Sequence, residues 1–292
     1  MLVFVVDHSG SVPGVTGARV VVSESGFAGT IGGGAAEKQL VERAAGHQGD
    51  AEIFRFRHTP SDGGTLCSGV QDFAIVSLSQ DDLEPIRSIV DTLGNHRTGT
   101  LRLSPGGVGF EPGETSPHAF TGEKESWMYS GPIGLEDTLY IIGGGHVSLA
   151  FSRVMATLPF RIIVLDNRED LPTMAANRYA HEQHVVDFDH IGDHVADGDH
   201  SWVVIMTFGH VHDQKVLEGL LGRDLAYLGL MGSEAKVRQM YASMEADGVD
   251  AKDLEAVQAP VGVSIGSHTP EEIAISIAAE IIALRNGIEH RA

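Results

Sequence analysis

Cysteine occurs once in 292 residues, which excludes a disulfide within the chain and fits a reducing compartment. Basic residues are half as numerous as acidic ones, 20 against 40, and a formal net charge of −20 argues against nonspecific binding to nucleic acid or to an anionic membrane. No apolar run reaches the ~18 residues or more of a membrane span. Met1-Leu-Val-Phe-Val-Val6 is short, runs into Asp7 and His8 and lacks the basic start of a signal peptide, so a cytoplasmic protein is expected. A hydrophobic content of 42% is ordinary for a globular protein, and the length predicts about two domains.

Glycine, in contrast, is plentiful, and where it clusters the sequence turns to chemistry. In Leu139-Tyr-Ile-Ile-Gly-Gly-Gly-His-Val-Ser-Leu-Ala-Phe-Ser152 an apolar strand runs into glycines and then into a helical pattern starting near His146. Gly143 and Gly145 are expected to take backbone angles closed to other residues and to let a ligand approach the main chain, with the first N–H groups of the helix facing an anion. The helix stripe Val147, Ala150, Phe151, Val154, Met155 and Leu158 ends at Pro159. A second buried strand, Arg161 to Asp166, follows and completes a βαβ unit. Asp166 stands about 20 residues past Gly143, where an acid reaches a ribose hydroxyl in dinucleotide sites. Ser148 replaces the third glycine of G-x-G-x-x-G, and Arg168 leaves the ligand open, since an arginine there suits a 2′-phosphate or another anion.

The chain divides at its composition. Residues 1–104 alternate short strands (near 2–6, 18–24, 51–58 and 72–78) with helices near 35–45 and 82–93, an α/β or α+β domain. Residues 105–136 are rich in Gly, Pro, Ser and Glu and read as a linker, with a hairpin or extended excursion around Trp127-Met-Tyr129. Residues 137–292 alternate strands and helices as a Rossmann-like, doubly wound parallel sheet requires. The last helix is announced by Thr269 as N-cap, Pro270 at N1 and Glu272 at N3 of a capping box.

Further constellations carry possible chemistry, each beside a plainer reading. Gly32, Gly33 and Gly34 form a second strand-to-helix glycine junction with Glu37 in the first turn: an anion cradle, or a flexible turn. Two cradles in one chain point to a ligand held between domains. Cys67, in Gly63-Gly-Thr-Leu-Cys-Ser-Gly69, is either a thiolate that binds a soft metal or handles sulfur, or a small buried hydrophobe. Thr207, His210 and Asp213 follow the strand Trp202 to Met206, at the rim where the ligand belongs. They could donate to phosphate or protonate a ligand, and Asp213 reads best as a helix cap. Lys236 and Arg238, just after Met231-Gly-Ser233, are candidate anion holders or an ordinary solvated helix face. The acid- and histidine-rich stretch from His181 to His200 lacks the constrained spacing of a metal site and reads as a solvated face, so no metal is expected.

Gly29 to Gly34 and Cys67-Ser-Gly69, taken with Gly143-Gly-Gly-His-Val147, Asp166-Asn-Arg168, Thr207 to Asp213, Tyr227 to Ser233, Pro260-Val-Gly262 and Thr269 to Ala274, resemble the XdhC/CoxI family over nearly the whole chain. Three positions depart from its pattern: Gly14 ends its Gly-Ser-x-Pro-Arg, Ser68 stands within its Cys-Gly-Gly, and Phe208 where a histidine follows Thr207. The resemblance implies a Rossmann-like second half and a maturation factor for xanthine or carbon monoxide dehydrogenase. Such a factor, more a cofactor chaperone than a catalyst, binds molybdopterin, protects it during sulfuration and delivers it to the apoenzyme. It also implies a homodimer, a sulfur donor protein as partner, Cys67 in sulfur or cofactor handling, and a cofactor pocket lined by Gly143, Gly145, His146 and Asp166. Glu37, Arg168, Thr207, His210, Asp213, Ser233 and Lys236 are the further candidate contacts. The competing expectation is an NAD(P)-dependent oxidoreductase with His210 as acid or base.

Overall fold

The computed structural model describes residues 1–47, 49–58, 68–123 and 125–288, which fall into two compact units, Met1–Gly134 and Leu135–Ala292.

In the first unit, β1 (Leu2–Ser9), β2 (Arg19–Ser23), β3 (Gly26–Thr30), β4 (Glu52–Arg57) and β5 (Val70–Val76) form an antiparallel sheet of order β3-β2-β1-β5-β4. Alternation along β1 sends Val3 and Val5 to one face, where Leu40 and Ala44 of α1 (Gly34–Gly46) close over them. Phe4 and Val6 point the other way. They meet Leu101 and Leu103 of β6 (Gly99–Ser104) and Trp127, Tyr129 and Ile133 of β9 (Ser126–Ile133). Those strands belong to a second antiparallel sheet of order β7-β6-β9-β8, with β7 (Gly107–Pro112) and β8 (Ala119–Glu123) at its edges. α2 (Leu83–Gly94) precedes that sheet. Both faces of the central strands are therefore covered, while β3, at the edge, is exposed along its whole length.

The stretch read as a linker, 105–136, thus needs correction. It carries three strands, and the unit boundary falls at Gly134/Leu135 instead of at 104/105. Its glycines and prolines sit at hairpin turns and strand ends, as at Gly107 and Gly113, both at positive φ, which dilutes the apolar alternation without ending it.

The second unit is a five-stranded, all-parallel sheet of order β12-β11-β10-β13-β14. Its strands are β10 (Asp137–Ile142), β11 (Phe160–Asp166), β12 (Glu182–Val185), β13 (Gly198–Ile205) and β14 (Leu225–Leu230). Along β10, Leu139 and Ile141 face α3 (His146–Met155) and α8 (Pro270–Arg285) through Phe151, Met155, Ile277 and Ile281. Tyr140 and Ile142 face α5 (His210–Glu218) and α6 (Glu234–Ala246) through Val216, Leu217, Val237 and Met240. Two short helices, α4 (Pro172–Ala175) and α7 (Ala251–Glu255), complete the connections. Helices on both faces explain why β10, β11 and the second half of β13 read as apolar runs, whereas β12, at the edge, is polar and mostly exposed. The expected capping box of α8 is present, with Thr269 accepting from the Glu272 N–H and Glu272 accepting from the Thr269 N–H. Among the described residues no helix is long and apolar enough to cross a membrane.

Buried Asp137 ties the foot of this sheet together. It accepts from Trp202 Nε1 at 3.3 Å, His200 Nδ1 at 3.1 Å and Arg285 Nε at 2.7 Å. The bond to Asp137 raises the His200 pKa above its ordinary 6.5, burial opposing. A raised folded-state pKa means that the pair stabilises fully below the unfolded value, about 6.5, and that the gain disappears as pH rises through the folded value. We expect His200→Gln to lower the Tm at pH 5.5 and to approach wild type by pH 8.5; an equal deficit at both pH values would show that protonation plays no part.

Candidate functional site

The strand order places β11 and β13 on either side of β10, so the chain reverses direction of winding between β10 and β13. Ligands of open α/β sheets bind at the carboxyl ends of the strands at such a point. Gly143–Gly145 leave β10 there, and Thr207–His210 leave β13 beside them.

The three glycines are needed for different reasons. Gly143 has φ +116, and a Cβ on it would lie 2.3 Å from the Met206 carbonyl oxygen, so it is fixed by the close passage of β13. Gly144 donates its N–H to Asp166 Oδ2 at 2.6 Å. Gly145 departs from expectation: its φ of −77 is open to any residue. A Cβ on Gly145 would meet nothing within 4 Å. The space beside it is free, and α3 begins there with no side-chain cap. His146 and the residues after it therefore present first-turn N–H groups toward that space. Ser148, at the place of the third glycine, is buried with its Oγ unpartnered among the described residues; a small side chain is what the packing requires.

Asp166 is buried and its carboxylate is fully engaged. Besides Gly144 it accepts from the Arg168 N–H and Nε at 2.9 Å each and from Nη2 at 2.8 Å. Burial alone would raise this carboxyl, but the bonds from Arg168 and Gly144 outweigh it and hold it below the usual carboxylate range. The acid expected to reach a ribose hydroxyl instead braces the glycine turn and orients Arg168. The Arg168 guanidinium in turn lies 4.3 Å from the ring centroid of Phe208.

Across the cleft, Thr207 and Asp213 are both buried. The expectation that Asp213 caps α5 is corrected, because Gly209 is the N-cap, with no side-chain cap bond. Asp213 Oδ1 instead accepts the Thr207 hydroxyl at 2.6 Å and the Thr207 N–H at 3.1 Å, fixing the loop before the helix. Its Oδ2 accepts Lys236 Nζ at 2.7 Å. Lys236 thus neutralises a buried carboxylate, Ser233 caps α6 by accepting the Lys236 N–H, and Arg238 pairs with Glu234 on a solvated face. His210, the first residue of α5, is exposed.

The other glycine junction belongs to the first unit. Gly32, Gly33 and Gly34 all have positive φ. Glu37 Oε2 accepts the Thr30 hydroxyl at 2.6 Å and the N–H groups of Ile31 and Gly33 at 2.9 and 3.2 Å. The Thr30 hydroxyl first, then those N–H groups, hold the Glu37 pKa down against burial. The chain's own carboxylate fills the position an anion would take. Cys67 lies outside the described residues. Among those described, no three His, Cys, Asp or Glu side chains gather as a metal site, and Arg223 engages Asp197 within the acid-rich stretch.

The sequence marks Phe208 only as a departure from the family's histidine after Thr207; its contact with Arg168 emerges from the strand order, which puts the two residues opposite each other.

Residues 139–281 match the family described as the XdhC Rossmann domain, and residues 1–57 match the XdhC and CoxI family. The chain is 33% identical over 154 residues to YqeB of Escherichia coli K12, a protein described as uncharacterised; the match covers 52% of this chain and 28% of that protein. It is 26% identical over 161 residues to a probable xanthine dehydrogenase component from Bacillus subtilis, covering 55% of this chain and 47% of that one. The chain thus spans less than half the length of each of these curated relatives. A solved structure described as a xanthine dehydrogenase from Bacillus halodurans shares the fold, with a TM-score of 0.78 at 21% identity over 99% of this chain and 92% of the other.

Removing the Asp166 carboxylate would leave the Gly144 N–H and the Arg168 guanidinium without their shared partner. Because Arg168 is about a third exposed, water compensates in part. We expect Asp166→Ala to cost about 2–3 kcal/mol in urea unfolding, toward the low end for breaking a buried pair; a loss below about 0.5 kcal/mol, the scale of surface changes, would refute the bracing role.

Proposed function

The chain belongs to the XdhC and CoxI family, and from that premise we propose that it is a cytoplasmic accessory factor which binds molybdopterin cofactor for a xanthine dehydrogenase-type molybdenum hydroxylase, supports its sulfuration and delivers it to the apoenzyme. The observation that carries this reading is the free space at Gly145, at the uncapped start of α3 and at the switch point of the sheet. Molybdopterin bears a phosphate, and the residues present fit such a group: first-turn N–H groups of α3, in a turn that holds no acid, to receive it. When bound, the cofactor supplies the metal and dithiolene chemistry of the client enzyme. The chain's own part is to hold the phosphate, orient the group attached to it and keep it from solvent until transfer. Cys67 serves sulfur or cofactor handling. The partners are the apoenzyme, a sulfur donor protein and a second copy of this chain.

The competing reading, an NAD(P)-dependent oxidoreductase, is disfavoured by the same geometry. Both Asp166 oxygens are engaged within the chain, so a ribose hydroxyl would have to compete with Gly144 and Arg168 for its acceptor.

Mass spectrometry of small molecules released from the native protein should find a phosphate-bearing pterin. Gly145→Val, which puts a branched side chain into the free space, should fold normally and bind about tenfold or more weakly, the loss expected for one or two charge-assisted hydrogen bonds. Wild-type loading of folded Gly145→Val, or release of NAD(P) with nicotinamide turnover, would overturn the proposal. Separately, Cys67→Ser keeps the size of the side chain and removes its soft thiolate. Activation of a molybdenum hydroxylase by this variant should fall while pterin affinity holds; full activation would leave Cys67 no role in sulfur handling.

A further inference from the structure

The residues that leave β11 and β13 close a ring of contacts above the Gly143–Gly145 turn. On one flank Asp166 accepts the Gly144 N–H. On the other, a Cβ on Gly143 would lie only 3.0 Å from Thr207 Cα. One step further out on each flank stand Arg168 and Phe208, and these two meet: the Arg168 Cζ is 4.3 Å from the Phe208 centroid. The contact therefore bridges the two strands that flank β10, at the carboxyl ends where Gly143–Gly145 leave it.

Each member is held in a way that leaves a planar face for use. Asp166 grips Arg168 along its Nε and Nη2 edge, fixing the plane of the guanidinium without covering its faces. Phe208 is 56% exposed, although Thr207 before it is buried. The His212 ring lies 4.5 Å from it, tilted at 44°, and Phe188 meets His212 edge-on at 5.9 Å, so the aromatic is joined to a short row of rings. Between Asp166 and Arg168, Asn167 carries a buried Oδ1 with no hydrogen-bond partner among the described residues. An acceptor in that state is suited to an N–H edge.

We propose that Arg168 and Phe208 are the specificity-determining pair of this site, a clamp that admits a planar heterocycle between guanidinium and phenyl ring while the phosphate attached to it rests at the start of α3. This rests on the phosphate cradle proposed above and adds the residues that read the ring its ligand carries. Opening the pair loses one exposed cation–π contact, worth about two- to fivefold in binding. The inserted ring gains a cation–π contact on one face and an aromatic contact on the other, and base-on-aromatic stacking alone is worth about fivefold or more. The balance favours a ligand with a ring over the same ligand without one.

The test compares AMP with ribose 5-phosphate, which carry the same phosphate with and without a heterocycle, by titration calorimetry on the full chain. Wild type should bind AMP about tenfold more tightly than ribose 5-phosphate, and Phe208→Ala should remove most of that preference while leaving ribose 5-phosphate within about twofold. Phe208→Trp, which keeps the aromatic face, should retain it, and circular dichroism checks that both variants fold. Equal affinity of wild type for both probes, with Gly145→Val abolishing both, would leave the cradle standing and overturn the clamp. Equal weakening of both probes by Phe208→Ala would make Phe208 a packing residue, and equal tightening would make it a mere obstruction; either overturns the clamp. Failure of wild type to bind either probe would remove the cradle and the clamp together.

Discussion

One carboxylate organises the carboxyl ends of the central strands. Asp166 takes four hydrogen bonds, from Gly144 and from three donors of Arg168, and these outweigh the burial that by itself raises its pKa. A buried ion is tolerable only when its partners are complete. The glycine turn, the end of β11 and the direction of Arg168 therefore stand or fall together. The turn is thus braced from within the protein, by a carboxylate of the neighbouring strand.

The two glycine junctions show why backbone shape alone does not make an anion site. In the first unit the loop offers its N–H groups, but Glu37 in the first turn of the following helix reaches back and takes them. In the second unit the first turn of α3 holds no acid, and neither α3 nor α5 has a side-chain cap. Whether a strand-to-helix turn is open or filled depends on a residue a few positions into the helix. The first junction is a satisfied element of the fold, and the second is the one left with donors to offer.

Much of the second unit is legible in its sequence because each signal is local. Apolar runs mark the central parallel strands, though not β12, whose Glu182-Gln-His-Val185 falls in the stretch read as a solvated face; α3 ends at Met155, short of Pro159, and Thr269, Pro270 and Glu272 mark the start of α8. In the first unit β3 leaves no such mark, because Gly26-Phe-Ala-Gly-Thr30 has little apolar alternation; it is an exposed edge and needs none. The stretch 105–136 reads as a linker because hairpin glycines and prolines resemble those of a linker. The site is legible as to its place, less so as to its roles. Asp166, Asp213 and Lys236 do lie near the strand ends, but which carboxylate turns inward to brace the chain depends on pairings between residues far apart in sequence. Such pairings leave no periodic trace.

The exposed strand β3 has a consequence for how the protein behaves in bulk. An edge strand with an unpaired outer side is a template for pairing with another molecule. Here its defences are its five-residue length, the glycines within it and the repulsion between chains that each carry a formal charge of −20. The last of these is conditional: it vanishes near the isoelectric point of about 5.0 and is screened by concentrated salt. Mild acid and high ionic strength are therefore the conditions that most favour association through the edge of β3.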